Sequence, residues 1–139
     1  MRHTASREVL APRAGVWSFL AEPYHLSDWW PGIAGVQPDR RGLAPGARWQ
    51  IQAPSRPGLI RRPGAGGTII ILAVETGRRF AFQLAHERVE AELVLEDAGI
   101  GRTTVTLTVD APFLSGVNRR TAVQALSRLY ALCQTSGEQ

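Results

Sequence analysis

From residue 47 to residue 109 the chain reads as one strand after another, and its one long amphipathic helix comes only after them. Residues 87–96 set Val89, Ala91, Leu93 and Leu95 against Arg88, Glu90, Glu92 and Glu96. Residues 102–109 set Val105, Leu107 and Val109 against Thr104, Thr106 and Thr108, and threonine suits the solvated face of a strand. Residues 79–86 place Phe80, Phe82, Leu84 and His86 together, and residues 47–53 place Trp49, Ile51 and Ala53 opposite Arg48, Gln50 and Gln52. A period of two marks a strand with one buried and one wet face. Residues 68–75 hold Ile69, Ile70, Ile71, Leu72 and Val74 without that alternation, which predicts a strand buried on both faces; if the outer face is covered, a partner chain is the expected cover. A weaker strand at 33–37 completes six. Strands so close in sequence pair as antiparallel neighbours in one sheet.

Such a sheet has one apolar face in need of a cover. The helix at 115–135 supplies it, with Ala122, Ala125, Leu126, Leu129, Leu132 and Cys133 on one stripe and Arg120, Gln124, Ser127, Arg128 and Gln134 opposite. Ser115 is placed to cap it. Ahead of the sheet stand a short strand at 7–10 and a helix opened by Pro12, with Val16, Phe19 and Leu20 on one face. A second short helix at 24–29 ends at Trp30-Pro31-Gly32, because the residue before a proline avoids the α region. The class is therefore α+β. A curved antiparallel sheet of about seven strands wraps a long C-terminal helix, with two short helices after the first strand, as a single domain over residues 1–139.

This order and several local phrases resemble the START/Bet v 1-like (SRPBCC) superfamily, in its polyketide cyclase/dehydrase-like branch. The residues that carry the resemblance are Ala11-Pro12 with Val16-Trp17, then Trp29-Trp30-Pro31-Gly32-Ile33 and Val36, and on the last helix Ala125-Leu126 and Leu129-Tyr130. The resemblance spans nearly the whole chain. It implies a helix-grip fold with a cavity between sheet and helix that takes lipids, polyketides or other hydrophobic molecules. It implies a cavity more firmly than a reaction, since function resides in the site rather than the fold.

Charge points elsewhere but weakly. All 16 basic residues are arginines and the formal net charge is +4, a balance that suits nucleic acid or anionic surfaces only if the charge is gathered on one face. The pairs Arg40-Arg41, Arg61-Arg62, Arg78-Arg79 and Arg119-Arg120 lie on four separate segments, so nucleic acid is not the expected partner. No apolar run nears the roughly 18 residues of a membrane span, residues 1–7 lack a signal-peptide centre, and Cys133 stands alone; the expected compartment is the cytoplasm. Monomer and homodimer both remain open.

An apolar pocket needs hydrophobic walls and a few placed polar groups. Strand parity and the helix stripe nominate Trp49, Phe82, Ala91, Leu93 and Leu126 as walls, with His86 and Asn118 as the polar groups, and the resemblance implies Trp29 as a further wall at the cavity entrance. Each has a plainer reading: core packing for the walls, an exposed strand end for His86, a helix cap for Asn118. His86 is the one catalytic nomination, because an imidazole exchanges protons near neutrality. The loop at 54–67, with three prolines, four glycines and Arg56, Arg61 and Arg62, is a candidate lid. Gly64-Ala65-Gly66-Gly67 leads into a strand, so it is no dinucleotide fingerprint, and the three histidines fall on unrelated segments. No metal and no cofactor are expected. Three functions stay in view: a carrier or sensor of a hydrophobic small molecule, a cyclase- or dehydratase-type cavity enzyme using His86, and an arginine-driven module for a macromolecule. Steep salt dependence would mark the third.

Overall fold

The computed structural model describes residues 1–52, 67–85, 87–113 and 116–137. The expectations placed on His86, on Ser115 as a cap and on residues 54–66 as a lid lie outside the described residues. Seven strands form one antiparallel sheet: β1 (Arg2–Val9), β2 (Gly35–Gln37), β3 (Arg48–Gln52), β4 (Thr68–Glu75), β5 (Arg79–Leu84), β6 (Val89–Asp97) and β7 (Thr103–Asp110). Their order across the curved sheet is β1-β7-β6-β5-β4-β3-β2. Two short helices, α1 (Arg13–Leu20) and α2 (Leu26–Trp29), follow β1, with a 3₁₀ turn at Pro23–His25 between them, and α3 (Arg119–Gly137) closes the chain. This is the helix-grip arrangement.

Register carries the alternation across the sheet. Leu107 faces Leu93, Val109 faces Ala91, Leu93 faces Phe80 and Ala91 faces Phe82, so the inward residues of β5, β6 and β7 form continuous rows. On the other side Thr4 meets Thr108 and Ser6 meets Thr106 through their hydroxyls. There Glu92 takes two guanidinium nitrogens of Arg79 on one oxygen, both at 2.7 Å, as expected of a glutamate on the wet face beside an arginine strand. A groove of about 590 Å³ runs over this outer face, past Thr4, Leu72, Ala81 and Thr108.

Three expectations are corrected. First, β1 starts at Arg2, well before residue 7, and runs the full length of β7. Second, β4 is not buried on both faces. Ile69 and Ile71 are fully buried, but Leu72 is 42% exposed on the outer side. The register also shifts between Ile71 and Ala73, a bulge that turns Ala73 outward beside Ala81 and Val74 inward beside Phe80. Third, α3 begins at Arg119. Asn118 caps it, its Oδ1 accepting from the Arg120 N–H at 2.9 Å.

α3 buries Ala122, Ala125, Leu126, Leu129 and Cys133 against the sheet and the short helices. Arg7 of β1 lies 4.2 Å from the centre of the Tyr130 ring and donates to Ser127 Oγ, a cation–π contact at the rim of the grip. Burial pushes the Cys133 thiol up to about 11, so it is protonated at neutral pH. A thiol reagent such as 5,5′-dithiobis(2-nitrobenzoate) is therefore expected to leave native protein unlabelled and to react at once in denaturant; fast native labelling would contradict the burial.

Thr103 is the one buried polar side chain among the described residues, and its Oγ1 donates to the Ala11 carbonyl at 2.8 Å. The bond pins β7 to the segment that leads into α1. Thr103→Val keeps the shape and strands a buried carbonyl, with an expected loss of about 1–3 kcal/mol in urea unfolding. An unchanged midpoint would show that the carbonyl finds another donor.

Candidate functional site

The interior between sheet and helices is built around rings. Trp49 is fixed from its own loop: the Asp39 carboxylate accepts the N–H groups of Arg48 and Arg41, each at 2.9 Å, and the Gly42 carbonyl accepts the Trp49 indole N–H at 2.8 Å. The Arg48 N–H and its companions hold the Asp39 carboxyl below the usual carboxylate range. From Trp49 the row continues to Phe80 at 6.3 Å and from Phe80 to Phe82 at 5.2 Å, the planes inclined by 31° and 32°. Onto Phe82 come two indoles from the end of α2, Trp29 at 6.3 Å and Trp30 at 5.4 Å, both edge-on. The two indoles also meet each other edge-on at 5.9 Å. Edge-on and offset contacts at such spacings are those that ring quadrupoles favour.

The structure brings most of the nominated wall together. Trp29 touches Phe82, Ala91 stands opposite Phe82 in the ladder, Leu93 stands opposite Phe80, and Trp49 joins through Phe80. Leu126 reaches the same core from α3. All six are exposed by 2% or less, so their side chains pack against one another. Asn118 is not among them: it is exposed, and its side chain is used at the start of α3. Two residues belong to this cluster that the list of walls left out. Phe80 was legible from strand parity. Trp30 had no periodic signal, since it lies beyond the last residue of a four-residue helix.

The arrangement is a packed cluster of aromatic and aliphatic side chains. Among the described residues no group of three or more histidine, cysteine or carboxylate side chains is placed to hold a metal ion. Among the described residues no helix is long and apolar enough to cross a membrane.

Residues 1–133 match the family described as "Polyketide cyclase / dehydrase and lipid transport". The chain belongs to that family. No curated protein matches it. Solved structures with the family's fold are many. Protein NE0264 from Nitrosomonas europaea superposes with a TM-score of 0.71 at 19% identity, covering 100% of this chain and 97% of its own. The Zhui aromatase/cyclase from Streptomyces sp. R1128 gives 0.69 at 16% identity, over 96% of this chain and 93% of that one. DynU16, a protein of the dynemicin biosynthetic locus, gives 0.66 at 17% identity and matches 98% of this chain with 48% of itself. At these identities the likeness speaks of the fold alone.

Proposed function

We propose that this family member binds a hydrophobic small molecule, lipid- or polyketide-like, between the inner face of the sheet and α3, and serves as its carrier or sensor. One observation carries the reading. The described interior is aromatic and aliphatic, and its single buried polar side chain, Thr103, is engaged by the Ala11 carbonyl. A wall of that kind favours apolar contact and leaves no described inward group to move a proton. Native mass spectrometry of protein purified from its own host tests this. A co-purifying small molecule supports the reading and names the ligand class. Apo protein that also fails to bind any member of a lipid and polyketide panel overturns it.

A second reading is a cyclase-type enzyme, favoured by the family's description and by the likeness to the Zhui aromatase/cyclase. Its acid/base would be His86. His86→Ala is then expected to abolish turnover of a polyketide substrate and to spare binding. Turnover that survives the change removes the nomination.

A further inference from the structure

The nominated walls press on one another, so a ligand needs one of them to give way. The elements differ in how easily they can. Phe80 and Phe82 sit on β5, held by ladders to β4 and β6 on either side. Leu126 and Leu129 sit on a 19-residue helix. Trp29 and Trp30 sit on a strap, residues 22–32, that has neither support. Among the described residues, every hydrogen bond made by this strap stays within residues 19–30. They are Glu22 N–H to the Phe19 carbonyl, His25 N–H to the Glu22 carbonyl, the His25 Nδ1 contact with the Phe19 carbonyl at 2.9 Å, Tyr24 N–H to the Glu22 carboxylate, Ser27 Oγ–H to the Tyr24 carbonyl, Leu26 N–H to the Pro23 carbonyl, and Trp30 N–H to the Leu26 carbonyl. None reaches the sheet or α3. Among the described residues, the buried side chains that fasten the strap to the core are Leu26, Trp29 and Trp30, each exposed by 2% or less. One part is tied to α1 and the far end is suited to pivot. In the first, the His25 ring stacks on Phe19 with centroids 4.3 Å apart. At the far end, Gly32 has φ +86°, open to glycine at no steric cost.

We propose that this strap is the gate of the interior and that Trp29 and Trp30 are its plug, occupying in the unliganded protein the space beside Phe82 that the ligand takes. The inference rests on the binding function proposed above. Lifting the strap breaks apolar contacts and no hydrogen bond to the body. An apolar ligand set against Phe82 and Phe80 restores contacts of the same kind. Trp29 and Trp30 thereby set how much room a ligand has, and the population of the open strap sets its apparent affinity.

The test is fluorine NMR of wild-type protein labelled with 5-fluorotryptophan, which gives one signal for each of the four tryptophans. Dodecanoate and cholate serve as chain-like and fused-ring probes, with binding followed by calorimetry. On binding, the Trp29 and Trp30 signals are expected to gain a solvent isotope shift between H₂O and D₂O, while Trp17 and Trp49 do not. A probe that binds and leaves both indoles shielded overturns the gate but not the binding function. If neither probe binds wild type, Trp30→Leu and Trp29→Leu decide. Either variant binding, with affinity at least about tenfold above the wild-type limit as for a site freed from a mostly closed state, supports the plug. No binding by wild type or by either variant overturns the plug, while the binding function stands or falls by the native mass spectrum and the panel above.

Discussion

Phe82→Ala is expected to cost about 3–5 kcal/mol of folding stability, the range for a fully buried phenylalanine truncated to alanine. Phe82 is completely buried and is the one ring that touches Trp29, Trp30 and Phe80 together. Its removal withdraws the common partner of both indoles and of the Trp49–Phe80 row. Because β5 is fixed between two ladders, the backbone has little freedom to close the space. A loss of that size is a large share of the roughly 5–15 kcal/mol that holds a domain of this kind together. Urea unfolding followed by tryptophan emission measures it. Phe82→Leu, which keeps most of the volume, should lose much less. A loss under about 1 kcal/mol for alanine, well below that range, would mean that the strap collapses inward to refill the site.

The strands with one wet face were the legible part of the fold. In β6 and β7 each inward residue read from the alternation is buried: Val89, Ala91, Leu93, Leu95, Val105, Leu107 and Val109. The α3 stripe was legible for the same reason, since 3.6-residue periodicity over many turns leaves little choice of face. β1 was read too short because its inward residues His3, Ala5 and Arg7 lie at the rim of the grip and need not be apolar; Arg7 reaches Tyr130 there. The bulge at Leu72 had no signal, because a strand apolar on both sides reads the same in either register.

The ring cluster was half legible. Strand parity places Phe80, Phe82 and Trp49, but α2 is too short for any period to show. Two consecutive tryptophans on a continuing helix would point about 100° apart. Here the helix ends between them: Trp29 is its last residue and Trp30 is extended, at φ −87° and ψ 123°, so both indoles enter the core. That turn in the backbone comes from Pro31 next in the chain, which keeps the residue before it out of the α region. The signal for the helix end was in the sequence; its consequence for the direction of two side chains was not.

Leu129→Ala is expected to cost about 2–5 kcal/mol, and Val123→Ala, on the same helix, less than about 0.5 kcal/mol. Leu129 is fully buried in the middle of the α3 stripe, between Ala125 and Leu126 on one side and Cys133 on the other, whereas Val123 is 47% exposed. Both changes place alanine, the best helix former, on the helix, so neither weakens it through intrinsic propensity. The difference between them isolates what α3 does as the cover of the sheet. Truncating Leu129 leaves a hole in the apolar contact that holds cover to sheet, while truncating Val123 removes atoms that water already reaches. Guanidinium unfolding with an unchanged slope is the measurement, since a changed slope would signal a looser native or denatured state instead of lost contact. Similar losses at both positions would show that α3 is held by its own helical stability, with the seven-strand face indifferent to it. A large loss at Leu129 alone, together with a native state that still holds Trp29 and Trp30 shielded, would show that helix and strap cover the core independently. The strap could then open for a ligand while α3 stays seated.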